Sequence, residues 1–156
     1  MNEIKLLFER LDNFAYPDNM KLVKGEIVGE AFFPGGRGLI NTNDNTISDK
    51  KIMILGQDFD CETNFEISKE NGKEDIVKNP TWRNLTKVLN ELEISLDNCF
   101  FTNAIMGVRR GNKGTGKSPA FKHSEFISDC QKFFLYQLGI RNLRRFLFLE
   151  NLQQSF

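Results

Sequence analysis

The chain has 156 residues, 40% of them hydrophobic, and a formal net charge of zero, which is typical of one globular domain and does not by itself indicate nucleic-acid binding. No apolar stretch is long enough to cross a bilayer, and the first residues lack the apolar block of a signal peptide. We therefore expect one domain over residues 1–156 of a cytoplasmic protein that has no membrane partner.

The three cysteines, Cys61, Cys99 and Cys130, lie far apart and form no Cys-x-x-Cys pair. This spacing predicts buried, reduced thiols rather than a zinc site or an iron–sulfur cluster. We expect no metal and no cofactor.

The first half of the chain predicts a helix, a loop and a strand. Apolar residues recur at helical spacing from Ile4 to Phe14, so a helix is expected before Pro17. Residues 31–50 are rich in Gly, Asn and Asp and predict loop structure. Residues 51–55 form an apolar run that predicts a buried strand, and Gly56-Gln57-Asp58 follows it.

The middle of the chain predicts a second helix and a second strand. Residues 60–79 are polar and predict irregular structure. Asn79 and Pro80 predict a helix start, followed by one apolar face: Trp82, Leu85, Val88, Leu89 and Leu92. Residues 98–104 predict a strand that carries Asn103 near its end.

The last part of the chain completes an alternating pattern. A loop rich in Gly and Lys is predicted over residues 107–117, a helix from Ser124 to Gly139, and a strand over residues 145–149. Alternating strands and helices predict a parallel sheet with helices on both faces. In such sheets, ligands bind at the carboxyl ends of the strands, where Asp58 and Asn103 are expected.

Two segments resemble motifs of the uracil-DNA glycosylase superfamily. Gly56-Gln57-Asp58 matches the Gly-Gln-Asp motif, and Phe101-Thr102-Asn103 with Val108-Arg109 matches the second motif. Residues 79–85, between them, are similar to a segment of an uncharacterised branch, and the resemblance covers roughly residues 51–140. It implies a three-layer αβα fold with a central parallel sheet, and a DNA partner, single- or double-stranded, that carries a damaged base.

The resemblance also implies roles for individual residues. Asp58 would activate water, and Gln57 would help to hold the base or the water. Asn103 would read the uracil edge and reject cytosine, whose hydrogen-bonding pattern is reversed. A flipped base needs an aromatic surface, for which Phe59 and Phe65 are the candidates.

The chain departs from the family pattern at two places. Phe59-Asp60 follows the first motif, where the best-known branch has Pro-Tyr, so the preference for uracil is not assured. The His-Pro-Ser-like motif and its strand are missing, which we interpret as a shortened C-terminus. The only histidine, His123, is expected at the surface, and Asp60 is expected to face solvent.

The segment from Arg109 to Lys122 is basic and contains no acidic residue. Placed beside a cleft, Arg109, Arg110, Lys113 and Lys117 would contact the DNA backbone. The alternative is a solvated loop without function.

Three alternative interpretations remain open. The first is a P-loop nucleotide-binding protein, because residues 111–118 match the pattern G-x-x-x-x-G-K-[ST], but no strand ends directly before them and Pro119 follows. The second is a non-catalytic member of the same fold that binds a base or nucleic acid, and the third is a damaged copy that folds poorly.

Overall fold

The computed structural model describes residues 1–141 and 146–148. These residues form a mixed α/β protein, and the predicted alternation of strands and helices is confirmed. The elements in chain order are α1 (Glu3–Leu11), β1 (Met20–Lys21), β2 (Ile52–Gly56), α2 (Glu62–Asn71), α3 (Pro80–Glu91), β3 (Cys99–Asn103), β4 (Val108–Arg109), α4 (Ser124–Arg141) and β5 (Phe146–Phe148).

A parallel sheet of order β3-β2-β5 lies at the centre of the fold. Its register pairs Ile52 with Cys99 and Gly56 with Asn103, so β2 and β3 end at the same edge. β5 pairs in parallel with the other side of β2. The predicted parallel sheet is confirmed, and so is the third strand over Phe146–Phe148; the flanking positions 145 and 149 lie outside the described residues.

A second, two-stranded sheet corrects the predicted loop over residues 107–117. β1 and β4 pair antiparallel, with Met20 opposite Arg109. The Arg109 N–H donates to the Asp60 carbonyl at 2.9 Å, which ties β4 to the segment that follows β2. Both residues of β4 are buried, and a strand of two residues is too short to produce a recognisable alternation in the sequence.

Alternate residues of β2 and β3 lie in two different hydrophobic clusters. Met53 and Phe100 belong to a cluster that also contains buried residues of α1 and α4. Ile54 and Phe101 belong to a cluster that contains buried residues of α2 and α3. Because successive side chains of a strand point to opposite faces, the sheet separates the two clusters.

The two helices with strong apolar periodicity agree with prediction. In α1, the side chains at the predicted spacing are buried as far as Leu11, and Phe14 follows the helix end. In α3, the Asn79 side chain accepts hydrogen bonds from the Thr81 and Trp82 N–H groups, as expected of an N-cap. Leu92 was predicted on the buried face, but it follows the last turn and is 60% exposed.

The other two helices differ from prediction. α2 lies within residues 60–79, which were expected to be irregular; only Phe65 of this helix is buried, so no apolar stripe marks it. α4 does not stop at Gly139 but continues to Arg141, and Ile140 packs against the core. None of the described helices has the length and apolarity needed to cross a membrane.

All three cysteines are buried and free of disulfides, as predicted. Burial raises the pKa of the Cys130 thiol to about 11, so this thiol is neutral at physiological pH. The Met106 N–H donates to its sulfur at 3.5 Å.

Candidate functional site

The ends of β2 and β3 bring the two motif segments together. The Ala104 N–H donates to the Gly56 carbonyl at 2.8 Å, and the Ile105 N–H donates to the Gln57 carbonyl at 2.9 Å. These bonds extend the ladder past the strands, so the segment carrying Asp58 stays beside the segment that follows Asn103. The carboxylate and the carboxamide therefore lie at one edge of the sheet.

Asp58 forms a buried ion pair with Arg109. Its Oδ2 accepts a hydrogen bond from Arg109 Nε at 2.5 Å, and the two side chains are only 6% and 4% exposed. Burial raises the pKa of the Asp58 carboxyl, while the Arg109 guanidinium and the Ser118 hydroxyl act in the opposite direction. Asp58 is thus held in one orientation by groups that favour its ionised form.

The other nitrogens of the Arg109 guanidinium form hydrogen bonds with the loop of residues 110–118, which covers Asp58. Nη1 donates to the Thr115 carbonyl at 2.9 Å, and Nη2 donates to the Gly116 carbonyl at 2.8 Å. Nη2 also approaches Gln57 Oε1 at 3.4 Å. The structure therefore gathers Gln57 and Asp58 around Arg109, whose guanidinium faces the interior and not the surface expected for contact with DNA phosphates.

The Asn103 amide is also fixed. The residue is 2% exposed, and its Nδ2 donates to the Phe33 carbonyl at 3.1 Å. A Cβ at position 56 would lie 2.5 Å from Asn103 Oδ1, so Gly56 leaves room for the Asn103 side chain in this position. Within the described residues, no hydrogen bond to this Oδ1 is formed, and one acceptor of the amide stays available.

The two aromatic residues expected beneath a base are both buried in the core. Phe59 is 6% exposed and Phe65 is 1% exposed, and their rings meet edge to face with centroids 5.7 Å apart. A Cβ at Gly35 would lie 2.3 Å from the Phe59 ring, which places this ring directly against the backbone of residue 35. Their role in stacking on a base stays a prediction.

Asp60 was expected to face solvent, but it is half-buried and its carboxylate accepts two hydrogen bonds. Its backbone has a positive φ of 113°, an unusual conformation for a residue other than glycine. Oδ1 accepts from the Cys61 N–H at 2.6 Å and Oδ2 from Asn64 Nδ2 at 2.8 Å. A Cβ at Gly114 would lie 1.7 Å from Oδ1, so a larger residue there would force the Asp60 side chain to move.

The residues that match the P-loop pattern do not have the surroundings of a nucleotide site. They connect β4 to a four-residue 3-10 turn, Pro119–Lys122, and not to an α-helix that starts at Lys117. The Ser118 side chain accepts from the Ala120 N–H at the start of that turn. This geometry does not favour the binding of phosphates on a helix N-terminus.

Sequence reasoning missed Ser118, Phe33 and Phe121 as residues of this region. The contacts of Ser118 and Phe33 depend on how distant loops fold, and no sequence pattern announces them. Phe121 did carry a signal, because an aromatic residue lies between Lys117 and Lys122. His123, expected at the surface, is half-buried, and its Nε2 lies 3.1 Å from Asn19 Nδ2.

Among the described residues, no group of three or more His, Cys, Asp or Glu side chains forms a candidate metal site. Neither a protein-family model nor a curated protein matches the chain. The features that indicate a function are the motif residues themselves and the contacts that the fold gives to Gln57, Asp58 and Asn103.

Proposed function

We propose that the protein is a DNA glycosylase that hydrolyses the N-glycosidic bond of a deaminated base, with uracil as the first candidate. The observation that carries this proposal is the pair of immobilised side chains, Asp58 and Asn103, at the ends of adjacent parallel strands. The three-layer αβα fold of the uracil-DNA glycosylase superfamily is part of the proposal. Alternate residues of β2 and β3 belong to two separate hydrophobic clusters, and this arrangement supports the proposed three-layer fold.

The proposed reaction adds water to C1′ of the deoxyribose. The bond between C1′ and the base breaks, the base leaves with the bonding electrons, and one water proton ends on the base or in solvent. The Asp58 carboxylate orients the water and stabilises the positive charge that develops on the sugar. Arg109 favours the ionised form of this carboxylate, against the effect of burial, and holds it in one orientation through the 2.5 Å hydrogen bond.

Asn103 supplies the proposed recognition of the base. Its Nδ2 is held by the Phe33 carbonyl, so its Oδ1 has one defined position from which to accept the ring N–H of uracil. Cytosine has no N–H at that ring position and would leave a buried acceptor unpaired. Such a mismatch costs about 1–3 kcal/mol.

Access to Asp58 requires the loop of residues 110–118 to open, because the carboxylate is covered in the structure. Two glycines of the loop, Gly111 and Gly116, have positive φ angles of 87° and 78°, and neither has a neighbouring atom within reach of an added Cβ. These positions suit a hinge that changes backbone angles without a steric cost. Binding of the substrate would then replace the contacts that Arg109 makes with the loop carbonyls.

The test is release of free base from a single-stranded oligonucleotide that contains one uracil. We expect Asp58→Asn to lower the rate about 10²- to 10⁴-fold, the usual contribution of a positioned acid–base group. Asp60→Asn is the matched control, since it makes the same chemical change two residues away. It should retain the rate within about tenfold.

Both variants are assayed below their unfolding temperatures, because Asp58→Asn also removes the partner of a buried arginine. Equal rates for the parent and Asp58→Asn would contradict the proposed role of the carboxylate. Absence of release by the folded parent would contradict the enzyme itself.

A non-catalytic protein that binds nucleic acid is the second candidate. The observation that favours it is the coverage of Asp58, whose ion pair with Arg109 is also suited to a purely structural role. In that case the folded parent binds the oligonucleotide and leaves every glycosidic bond intact.

A further inference from the structure

An open, basic pocket is lined by residues of the loop that covers Asp58 and of the turn that follows it. Its volume is about 560 Å³, within the range of ligand-binding pockets. The residues that matter for its chemistry are the cations Arg110, Lys113, Lys117 and Lys122 and the aromatic Phe121, which together we call the basic pocket. Its lining contains no carboxylate.

The cations of the basic pocket are available to an anion. All of them are exposed, and among the described residues none forms an ion pair with a carboxylate. Arg110 helps to lower the pKa of the Glu62 carboxyl, but Glu62 already pairs with Lys21 at 3.1 Å. Arg109, in contrast, also borders the pocket but directs its guanidinium to Asp58 and the loop carbonyls.

Phe121 gives the pocket an aromatic surface. Its side chain is 42% exposed, whereas most phenylalanines of the chain are buried or packed against the core. The Lys117 ammonium lies over its ring, 5.3 Å from the centroid. An exposed ring surrounded by cations is the arrangement with which proteins stack a nucleobase and hold its phosphates.

We propose that the basic pocket binds a short segment of single-stranded nucleic acid, with one base stacked on Phe121 and the flanking phosphates on the four cations. A single strand fits better than a duplex, because the faces of paired bases are covered by their neighbours. The choice of nucleic acid as the occupant rests on the proposed function. The pocket adjoins the loop that must open, so the bound strand leads its next nucleotide toward Asp58.

The probe for this proposal is a fluorescein-labelled, undamaged oligothymidine, whose binding is followed by fluorescence anisotropy at several salt concentrations. The affinity should fall with a log–log salt slope of about −3 if four phosphates are neutralised. Phe121→Leu should weaken binding about tenfold with the slope unchanged, because it removes stacking and leaves the charge. Lys117→Ala should reduce the magnitude of the slope by about 0.7.

The controls are surface residues outside the basic pocket. Lys87→Ala and Lys132→Ala remove exposed charges from α3 and α4, and Leu135→Ala removes a side chain that is 65% exposed. None of these substitutions should change the affinity for the oligothymidine more than about twofold, because none of the three side chains would contact the bound oligonucleotide. A duplex of the same sequence should bind at least about tenfold more weakly.

The proposal is overturned if Phe121→Leu and Lys117→Ala bind like the parent, if the controls weaken binding equally, or if the duplex binds as tightly as the single strand. Base release is measured separately on the same preparations. If base is released although the strand does not bind at the basic pocket, the binding proposal is overturned and the proposed hydrolysis stands. If the strand binds tightly at the pocket but no base is released, only the proposed hydrolysis is contradicted.

Discussion

Arg109 is the residue on which the geometry of the site depends most. Its backbone belongs to β4, and its guanidinium contacts Asp58, Gln57 and two loop carbonyls. A buried arginine with these partners does two things at once: it favours the ionised form of the Asp58 carboxyl against the effect of burial, and it bonds to the loop. Removing it would leave the Asp58 carboxyl buried without its cationic partner.

We expect Arg109→Ala to lower the free energy of unfolding by about 3–5 kcal/mol, the usual cost of removing one partner of a buried ion pair. Arg110→Ala is the matched control, because Arg110 is exposed and should contribute less than about 0.5 kcal/mol. Urea unfolding of both variants provides the measurement. An Arg109→Ala protein as stable as the parent would show that the ion pair contributes nothing to the fold.

The sequence predicted Arg109 as a contact to DNA because it begins a basic run. A run of like charges does not reveal which member is buried, and here the neighbour Arg110 is exposed while Arg109 is not. The distinction arises from the pairing of β1 with β4, which joins residues almost ninety positions apart. A local sequence pattern cannot predict the pairing of strands that lie so far apart in the chain.

At the scale of elements, apolar periodicity decided which helices could be predicted. α3 carries buried residues at helical spacing and an N-cap, and its start and its buried residues from Trp82 to Leu89 followed from sequence, whereas Leu92 is exposed. α2 buries only Phe65 and is otherwise polar, so the same reasoning interpreted it as irregular. Gly139 was interpreted as the end of α4, although its backbone remains helical and the helix continues for two more residues.

We therefore expect Gly139→Ala to stabilise the protein. Glycine within a helix costs roughly 0.5–1 kcal/mol relative to alanine, and an added Cβ at this position would meet no atom within 4 Å. The increase should appear as a higher urea midpoint with an unchanged slope. A loss of stability would mean that residue 139 adopts the left-handed conformation of a helix terminus, as first predicted from the sequence.

At the scale of the whole molecule, Glu74 links the loop that precedes the sheet to α3. Its Oε2 accepts hydrogen bonds from the Phe32 N–H and from Trp82 Nε1–H, both at 2.9 Å. Burial raises the pKa of this carboxyl to about 7, although the two donors act in the opposite direction. Because the folded protein binds this proton more tightly than the unfolded chain, the contribution to stability is complete below pH 4.5 and is lost as the pH rises through 7.

We expect Glu74→Gln to remove this part of the pH dependence, since the amide oxygen still accepts from the same donors and does not ionise. A shift of this size corresponds to about 3 kcal/mol between pH 4 and pH 8. Urea unfolding of the parent and the variant at four pH values would measure it. If the free energy of unfolding changed with pH in the same way in both proteins, Glu74 would be excluded as the source of this pH dependence.

The parallel sheet and the edge that carries Asp58 and Asn103 were predictable, because apolar strands followed by polar residues have a clear pattern. The contacts around them were not. Phe33 and the loop of residues 110–118, which contains Ser118, reach the site from separate parts of the chain. Gly56 lies against the Asn103 side chain and Gly114 against the Asp60 side chain, and no periodicity describes such contacts.

The most direct test of the proposed hydrolysis is the rate of base release from a saturated complex. A uracil-containing single strand is mixed with excess protein at a concentration at which anisotropy shows complete binding, and free base is followed over a single turnover. We expect release by the parent and an intact, bound strand with Asp58→Asn. A parent complex that is saturated and folded but releases no base would contradict the proposed hydrolysis.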